Sequence, residues 1–253
     1  MTPFYETDRA VSEYLLFHYG RSEEILPYAT GPHAALNYPV RCVEHFAGDI
    51  GYHQKMRALD LGCAVGRSTF ELARHCGEVI GIDYSERFIA SAKRLQEEGK
   101  IAYSYRDHGD LSLETLAEIS SEIDRGRVRF EQGDAMFLRE GLGQFDVVLM
   151  ANLIDRLVDP RRFLNGMGER VVSGGFMILT SPYTWLEDYT PREHWIGGKQ
   201  ETNGAGVRTE DALLELLDPS FERIRVDDLP FLIREHVRKY QWSVAQGSLW
   251  RRR

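Results

Sequence analysis

The residues with the clearest chemical meaning lie in the run ALDLGCAVGRS, Ala58 to Ser68. Asp60 is followed by Gly62, Cys63, Ala64 and Gly66. Glycines let a backbone turn sharply and approach a ligand closely. A helix starting here aims its first amides at that ligand. A dinucleotide site reads GxGxxG after its strand. Here the spacing is Asp60-x-Gly62-x-Ala64-x-Gly66, with an acid two residues ahead of the first glycine, which suits a ligand with an amino-acid group and no pyrophosphate. Ala64 leaves room for such a ligand only if its backbone sits at negative φ. VIGID ends in Asp83, where a carboxylate accepts from both hydroxyls of a ribose. EQGDA places Asp134 and Ala135 where the acid accepts from an adenine amino group, and FDVVLMANLIDRL delivers Asn152 to Arg156 past a fourth strand. Cys63 sits inside the turn, and its expected role is small-residue packing.

The elements that must position these residues alternate. RALDL, EVIGID, RVRFEQGDA, FDVVLMAN and GGFMILTSP read as strands. Between them lie helical segments: VGRSTFELARHC, YSERFIASAKRLQEEG capped by Ser85, and DPRRFLNGMGERVV capped by Asp159. TEDALLELL, with Thr209 as its cap, and two closing strands, FERIRVDDL and YQWSVAQGSLW, complete the pattern. Alternation of this kind predicts an α/β, mainly parallel sheet covered on both faces, with ligands at the carboxyl ends of its strands. Ahead of it come a helix capped by Thr7 and stopped by Gly20, a Pro/Gly-rich loop, and a helix opening at Tyr38-Pro39. Two stretches, Lys100 to Gly126 and Tyr183 to Val207, exceed ordinary loop length and are expected as lids, substrate walls or solvated decoration.

Composition narrows the function classes. The chain has 253 residues, 43% of them hydrophobic, and a net charge of −8. That length suits one large domain with a core that needs no disulfide or structural metal. The acidic balance argues against a nucleic-acid partner, whose phosphates call for a basic face. The one dense basic run, Arg251 to Arg253, is expected to be a frayed, solvated terminus. Cys42, Cys63 and Cys76 form no CxxC pair, so no metal site is expected. MTPFYETDRAV does not read as a signal peptide, and no apolar run approaches the about 20 residues that span a bilayer. A cytoplasmic protein with reduced thiols and no membrane partner is the expectation.

Together these blocks resemble the class I S-adenosylmethionine (AdoMet)-dependent methyltransferases over roughly Arg57 to Ser181. The resemblance implies a Rossmann-like, seven-stranded fold with AdoMet as cofactor. Its methionine moiety would lie near Asp60, Gly62 and Ala64, its ribose on Asp83, and its adenine near Tyr84, Asp134 and Ala135. One domain, 1–253, then divides into a helical cap (1–56), an AdoMet-binding core (57–181), an insertion acting as substrate lid (182–208) and a C-terminal helix and hairpin (209–253).

The flanks carry a closer resemblance. FYETDRAVSEYLLFHYG, YPVRCVEHF, LDLGCAVGRS, FEQGDA, SPYTWLEDYTPREHWIGG and PFLIREHVRKYQW are similar to the mercaptohistidine N-methyltransferase family of ovothiol biosynthesis, over nearly the whole chain. That family implies methyl transfer to an imidazole nitrogen of thiohistidine. It also implies a functional partnership with a separate sulfoxide synthase, because no synthase segment is recognised here.

Methylating nitrogen requires an unprotonated lone pair, and an imidazole, titrating near about 6.5, has one at neutral pH without a strong base. An acceptor for the other ring N–H would fix the tautomer, and a basic fork would hold the substrate carboxylate. Asn152 or Asp155 is expected for the first task, Arg41 or Arg234 for the second, and Tyr183 as a wall. Arg41 is equally suited to the cofactor's carboxylate, and Asn152 to a cofactor contact. Further candidates are Tyr5, Tyr14, His18, Tyr19, Tyr38, Trp185, Tyr189, Trp195, Glu235 and His236, with packing the alternative for Tyr14, Trp185 and Trp195 and a structural role the alternative for His18 and His236. Two other readings stay open: a methyltransferase of another small metabolite, and a non-catalytic AdoMet-binding module.

Overall fold

The structure is a computed structural model that describes residues 4–200 and 204–253, so Met1 to Pro3, and Glu201 to Asn203 of the expected insertion, lie outside it. Thr7 caps α1 (Asp8–Tyr19), accepting from Ala10 N–H, and Gly20 ends it. The Pro/Gly-rich loop contains the short α2 (Ser22–Ile25), and α3 (Tyr38–Glu44) carries Pro39 in its first turn. After α4 (Ala47–Ile50) the alternation begins: β1 (Arg57–Leu61), α5 (Arg67–His75), β2 (Glu78–Asp83) and α6 (Glu86–Glu98). It continues through β3 (Lys100–His108), β4 (Leu111–Glu118), β5 (Val128–Gln132), β6 (Phe145–Ala151), α7 (Pro160–Gly166) and β7 (Val171–Ser181). Minimal strands β8 (Lys199–Gln200) and β9 (Gly206–Val207) precede α8 (Thr209–Leu217) and a hairpin of β10 (Phe221–His236) and β11 (Lys239–Arg252).

Seven strands form one sheet in the order β10-β11-β7-β6-β1-β2-β5. The five from β7 to β5 are parallel, and the hairpin adds two antiparallel strands beside β7. Period-two alternation sorts the core. Ala58, Val79, Val147 and Leu149 face α3, α5 and α6, whereas Leu59, Leu61, Val148 and Met150 face α7 and α8. The order reverses between β1 and β6, so a crevice opens beyond the ends of those two strands. Helix α1 lies across it, its Tyr14 and Phe17 packing on one core cluster and its Leu16 on another.

Several expectations are corrected. Lys100 to Gly126 is no loop: β3 and β4 pair from Lys100↔Glu118 to His108↔Leu111, with Ile101 and Ala117 buried. The hairpin packs on α1, and Thr115 donates to Glu24. Thr209 does not cap α8; Arg208 stands at that position and the Thr209 hydroxyl accepts from the Trp185 indole at 3.0 Å. The terminal arginines are ordered rather than frayed. Arg251 and Arg252 are in β11, Arg252 lies over the Phe221 ring, and Arg253 pairs with Asp218. Val171 and Val172, read as the end of α7, instead begin β7.

Candidate functional site

The turn between β1 and α5 sets the floor of the crevice. Gly62 and Gly66 sit at φ 73° and 87°, and at Gly66 a side chain would meet the Phe130 ring at 2.6 Å, so only glycine fits. Ala64 adopts φ 48°, so the negative φ that was the condition for its side chain to leave room is not met. The reason is a tether: its N–H donates to Asp83 Oδ2 at 2.8 Å. The other Asp83 oxygen accepts from Ser85 N–H at 2.9 Å. Burial raises the Asp83 carboxyl, and the Ser85 and Ala64 amides oppose it.

Asp60 is fully buried, and Asp60 Oδ2 accepts from Ser68 and Thr69, each at 2.7 Å. Asp60 Oδ1 is buried without a partner. Burial pushes this carboxyl up to about 6 against those two hydroxyls. An orphaned buried acceptor in a native fold calls for a ligand donor, so the turn fits the amino-acid end of AdoMet. Tyr84 is 69% exposed beside Asp83, and Ala135 lies in a 3-10 turn after β5. Asp134 is used locally, accepting from Met136 N–H at 2.8 Å. Cys63 is a buried thiol, its pKa raised by burial and then by Asp60.

The opposite wall comes from β6, β7 and α3. Asn152, directly past β6, sits at φ 52°, and its N–H donates to Thr180 O at 2.9 Å. Its side-chain oxygen accepts from the Tyr38 hydroxyl at 2.8 Å, and that hydroxyl lies 2.7 Å from Thr180 Oγ1. Phe231 covers Tyr38 with ring centroids 4.9 Å apart. Of the four described non-glycine residues at positive φ, Ala64, Asn152 and Tyr183 follow the ends of β1, β6 and β7, and Asn37 precedes α3. Such backbone costs of order 1–3 kcal/mol each and clusters where geometry is functional.

The remaining candidates divide. Tyr5, Tyr14 and Tyr189 form an aromatic group, with Tyr5 6.0 Å from Tyr14 and 6.4 Å from Tyr189. Arg156 lies 4.9 Å over the Tyr189 ring. Tyr19 donates to Val65 O at 2.8 Å, fastening α1 to the glycine turn. Asp155 is buried and already engaged, by Ser181 at 3.0 Å and Arg156 at 2.9 Å. Tyr183 directs its hydroxyl away, to Gln246 Oε1 at 2.7 Å. Trp185 and Trp195 stack on each other, donate to Thr209 and Thr190, and pack into the core cluster beneath α7 and α8. The Arg41 guanidinium is engaged by the carbonyls of Leu36 and Pro230.

Arg234 is a correction: it is buried against Tyr105 and bonded to Glu24 O and Asp107, beneath the β3–β4 hairpin. Strand β11 pairs with β7 only over residues 246–251, so the hairpin runs on past the sheet and carries Arg234 to α2 and β3. Glu235 and His236 go with it, Glu235 pairing with Lys239. Thr180, Ser68, Thr69 and Phe231 were missed. A Ser-Thr pair in the first turn after an acid-glycine motif was the available signal for two of them.

Sheet order, strand-end crevice and glycine turn define a Rossmann-like methyltransferase fold. Residues 59–177 match the methyltransferase domain family. A ubiquinone biosynthesis O-methyltransferase from Cereibacter sphaeroides (strain KD131 / KCTC 12085) is 29% identical over 126 residues, 50% of this chain and 41% of the relative. A second, from Azorhizobium caulinodans, is 27% identical over 142 residues, 56% of this chain and 46% of the relative. The chain thus spans less than half the length of these curated relatives. Among solved structures, N-methyltransferase NodS from Bradyrhizobium japonicum WM9 in complex with S-adenosyl-L-homocysteine aligns with TM-score 0.54 at 13% identity, covering 96% of this chain and 98% of that one. The [4+2]-cyclase SpnF aligns with TM-score 0.53 at 18% identity, covering 84% and 80%. No helix among the described residues is long and apolar enough to cross a membrane.

Proposed function

We propose that the chain is an AdoMet-dependent methyltransferase whose acceptor is an imidazole nitrogen of a small amino acid, thiohistidine. AdoMet supplies an electrophilic methyl group on a cationic sulfur. Asp60, Gly62 and Ala64 would hold its amino-acid end, with Asp83 on the ribose. The observation that carries the acceptor reading is that the carboxylates described at the crevice already accept hydrogen bonds from the protein: Asp83 from the Ala64 and Ser85 amides, Asp60 from Ser68 and Thr69, and Asp134 from Met136 N–H. Of the titratable groups named there, His18 is neutral with a pKa lowered to about 3, and Asp155 is already bonded to Ser181 and Arg156. A phenol, titrating near about 10, needs its proton removed, whereas a neutral imidazole already offers a lone pair. Positioning can then supply most of the rate, and the Tyr38–Asn152–Thr180 network is a rigid polar wall for it.

The blocks outside the core, YPVRCVEHF and SPYTWLEDYTPREHWIGG among them, support thiohistidine in particular. A separate sulfoxide synthase supplying this substrate, and a cytoplasmic location, belong to the same proposal. The O-methyltransferase relatives favour a second reading, a phenolic quinone precursor as acceptor. A competition assay with methyl-labelled AdoMet separates them. Label is expected on thiohistidine at a rate that is flat above about pH 7.5. Label on the phenol alone, at a rate climbing with pH, would replace this reading with the second.

A further inference from the structure

His18 is a buried titratable group with no assigned task. It sits on α1 with Tyr14, Phe17 and Tyr19 around it, at ring-centroid separations of 5.8, 5.4 and 6.3 Å. Each neighbour reaches a different strand end. Tyr14 packs on Phe88 just past Asp83, at 4.7 Å; Phe17 stacks on Tyr38, the Asn152 partner, at 6.0 Å; and the Tyr19 hydroxyl bonds Val65 O in the glycine turn. His18 therefore stands above the middle of the crevice defined by β1, β2 and β6.

His18 Nδ1 is buried without a hydrogen-bond partner, as is Asp60 Oδ1. The residue is not sealed, since part of its surface remains open. Burial, with Arg67 nearby, keeps it neutral. A neutral imidazole with an unmatched nitrogen can accept one hydrogen bond and donate another. Leaving it unmatched in a closed protein would waste its desolvation, so a ligand group is the natural partner.

We infer that His18 is an acceptor-binding residue, hydrogen-bonded as a neutral imidazole to a polar N–H or O–H of the methyl acceptor. This rests on the methyltransferase reading of the site but not on thiohistidine as the acceptor. Neutrality matters here, because a protonated imidazole would repel the sulfonium of the cofactor and could not accept.

The test uses the full chain saturated with S-adenosylhomocysteine, into which thiohistidine is titrated calorimetrically. H18F keeps an aromatic ring and removes both nitrogens. It is expected to bind S-adenosylhomocysteine within about threefold of wild type while binding thiohistidine about tenfold more weakly, the worth of one hydrogen bond. H18N or H18Q should recover part of that loss, and either serves if H18F fails to fold. If the wild type neither binds nor methylates thiohistidine, only the substrate reading falls. The same comparison is then run with whichever histidine, amine or phenol the wild type methylates. Unchanged acceptor affinity and turnover in H18F would overturn the inference. So would an equal loss of cofactor and acceptor binding, which would make His18 a cofactor or packing residue.

Discussion

The Ala64 N–H donates to Asp83 Oδ2 at 2.8 Å, joining the turn past β1 to the carboxylate that ends β2. One side chain thus holds the strained turn and, in the proposed function, would also present its carboxylate to the ribose. Asp83→Ala is expected to weaken AdoMet binding by about a hundredfold, since it removes charged hydrogen bonds as well as the tether. Near-native affinity by calorimetry would contradict the ribose assignment.

The same tether keeps an alanine at φ 48°. Glycine accepts that backbone without steric cost, though it gives back some chain entropy. Ala64→Gly should therefore raise stability by about 1 kcal/mol, or a Tm rise of about 2–4 °C for a chain of this size, with cofactor affinity retained. A fall in Tm would show that the positive φ carries no strain.

Tyr38→Phe removes the hydroxyl shared by Asn152 and Thr180. Thr180 Oγ1, 3.2 Å from Asn152 Oδ1, keeps one contact, so the stability cost should stay near about 1–2 kcal/mol. If Asn152 positions the acceptor, kcat should drop by about tenfold while AdoMet affinity holds. Steady-state kinetics with the cofactor saturating checks this. An unchanged kcat would remove the network from the mechanism.

Asp60 gives a pH signature. Its folded pKa, about 6, lies above the ordinary 3.8 because of burial, so folding favours the protonated form. The stability this contributes is complete below pH 3.8 and is lost as pH rises through about 6. Asp60→Asn removes the ionisation. Without cofactor the variant should be more stable than wild type at pH 8 by about 2–3 kcal/mol, with the gap closing between pH 6 and 4. Denaturant titrations across that range measure it, and a gap independent of pH would refute the buried-carboxylate account.

Much of this arrangement was legible before the structure. The acid-glycine spacing located the turn, Asp83 and the strand alternation located the crevice, and Thr7, Ser85 and Asp159 capped their helices as read. What was lost was information carried by partners distant in sequence. Tyr38 and Asn152 are 114 positions apart, and nothing local marks them as bonded. The φ of Ala64 was not legible locally because the Asp83 tether, not local preference, sets it. Lys100 to Glu118 alternates weakly, with charged and tyrosine residues on a half-exposed hairpin, so period two was hidden. Arg234 was misplaced because a hairpin overrunning its sheet moves a residue by its length, which sequence spacing does not reveal.

The most direct test of the central claim is mass spectrometry of the products formed by purified protein with AdoMet and thiohistidine, with histidine as control. The account predicts a gain of one methyl on thiohistidine, located on a ring nitrogen by fragmentation, and none on histidine. Methyl on sulfur, or no methyl on thiohistidine from protein shown separately to bind AdoMet, would contradict it.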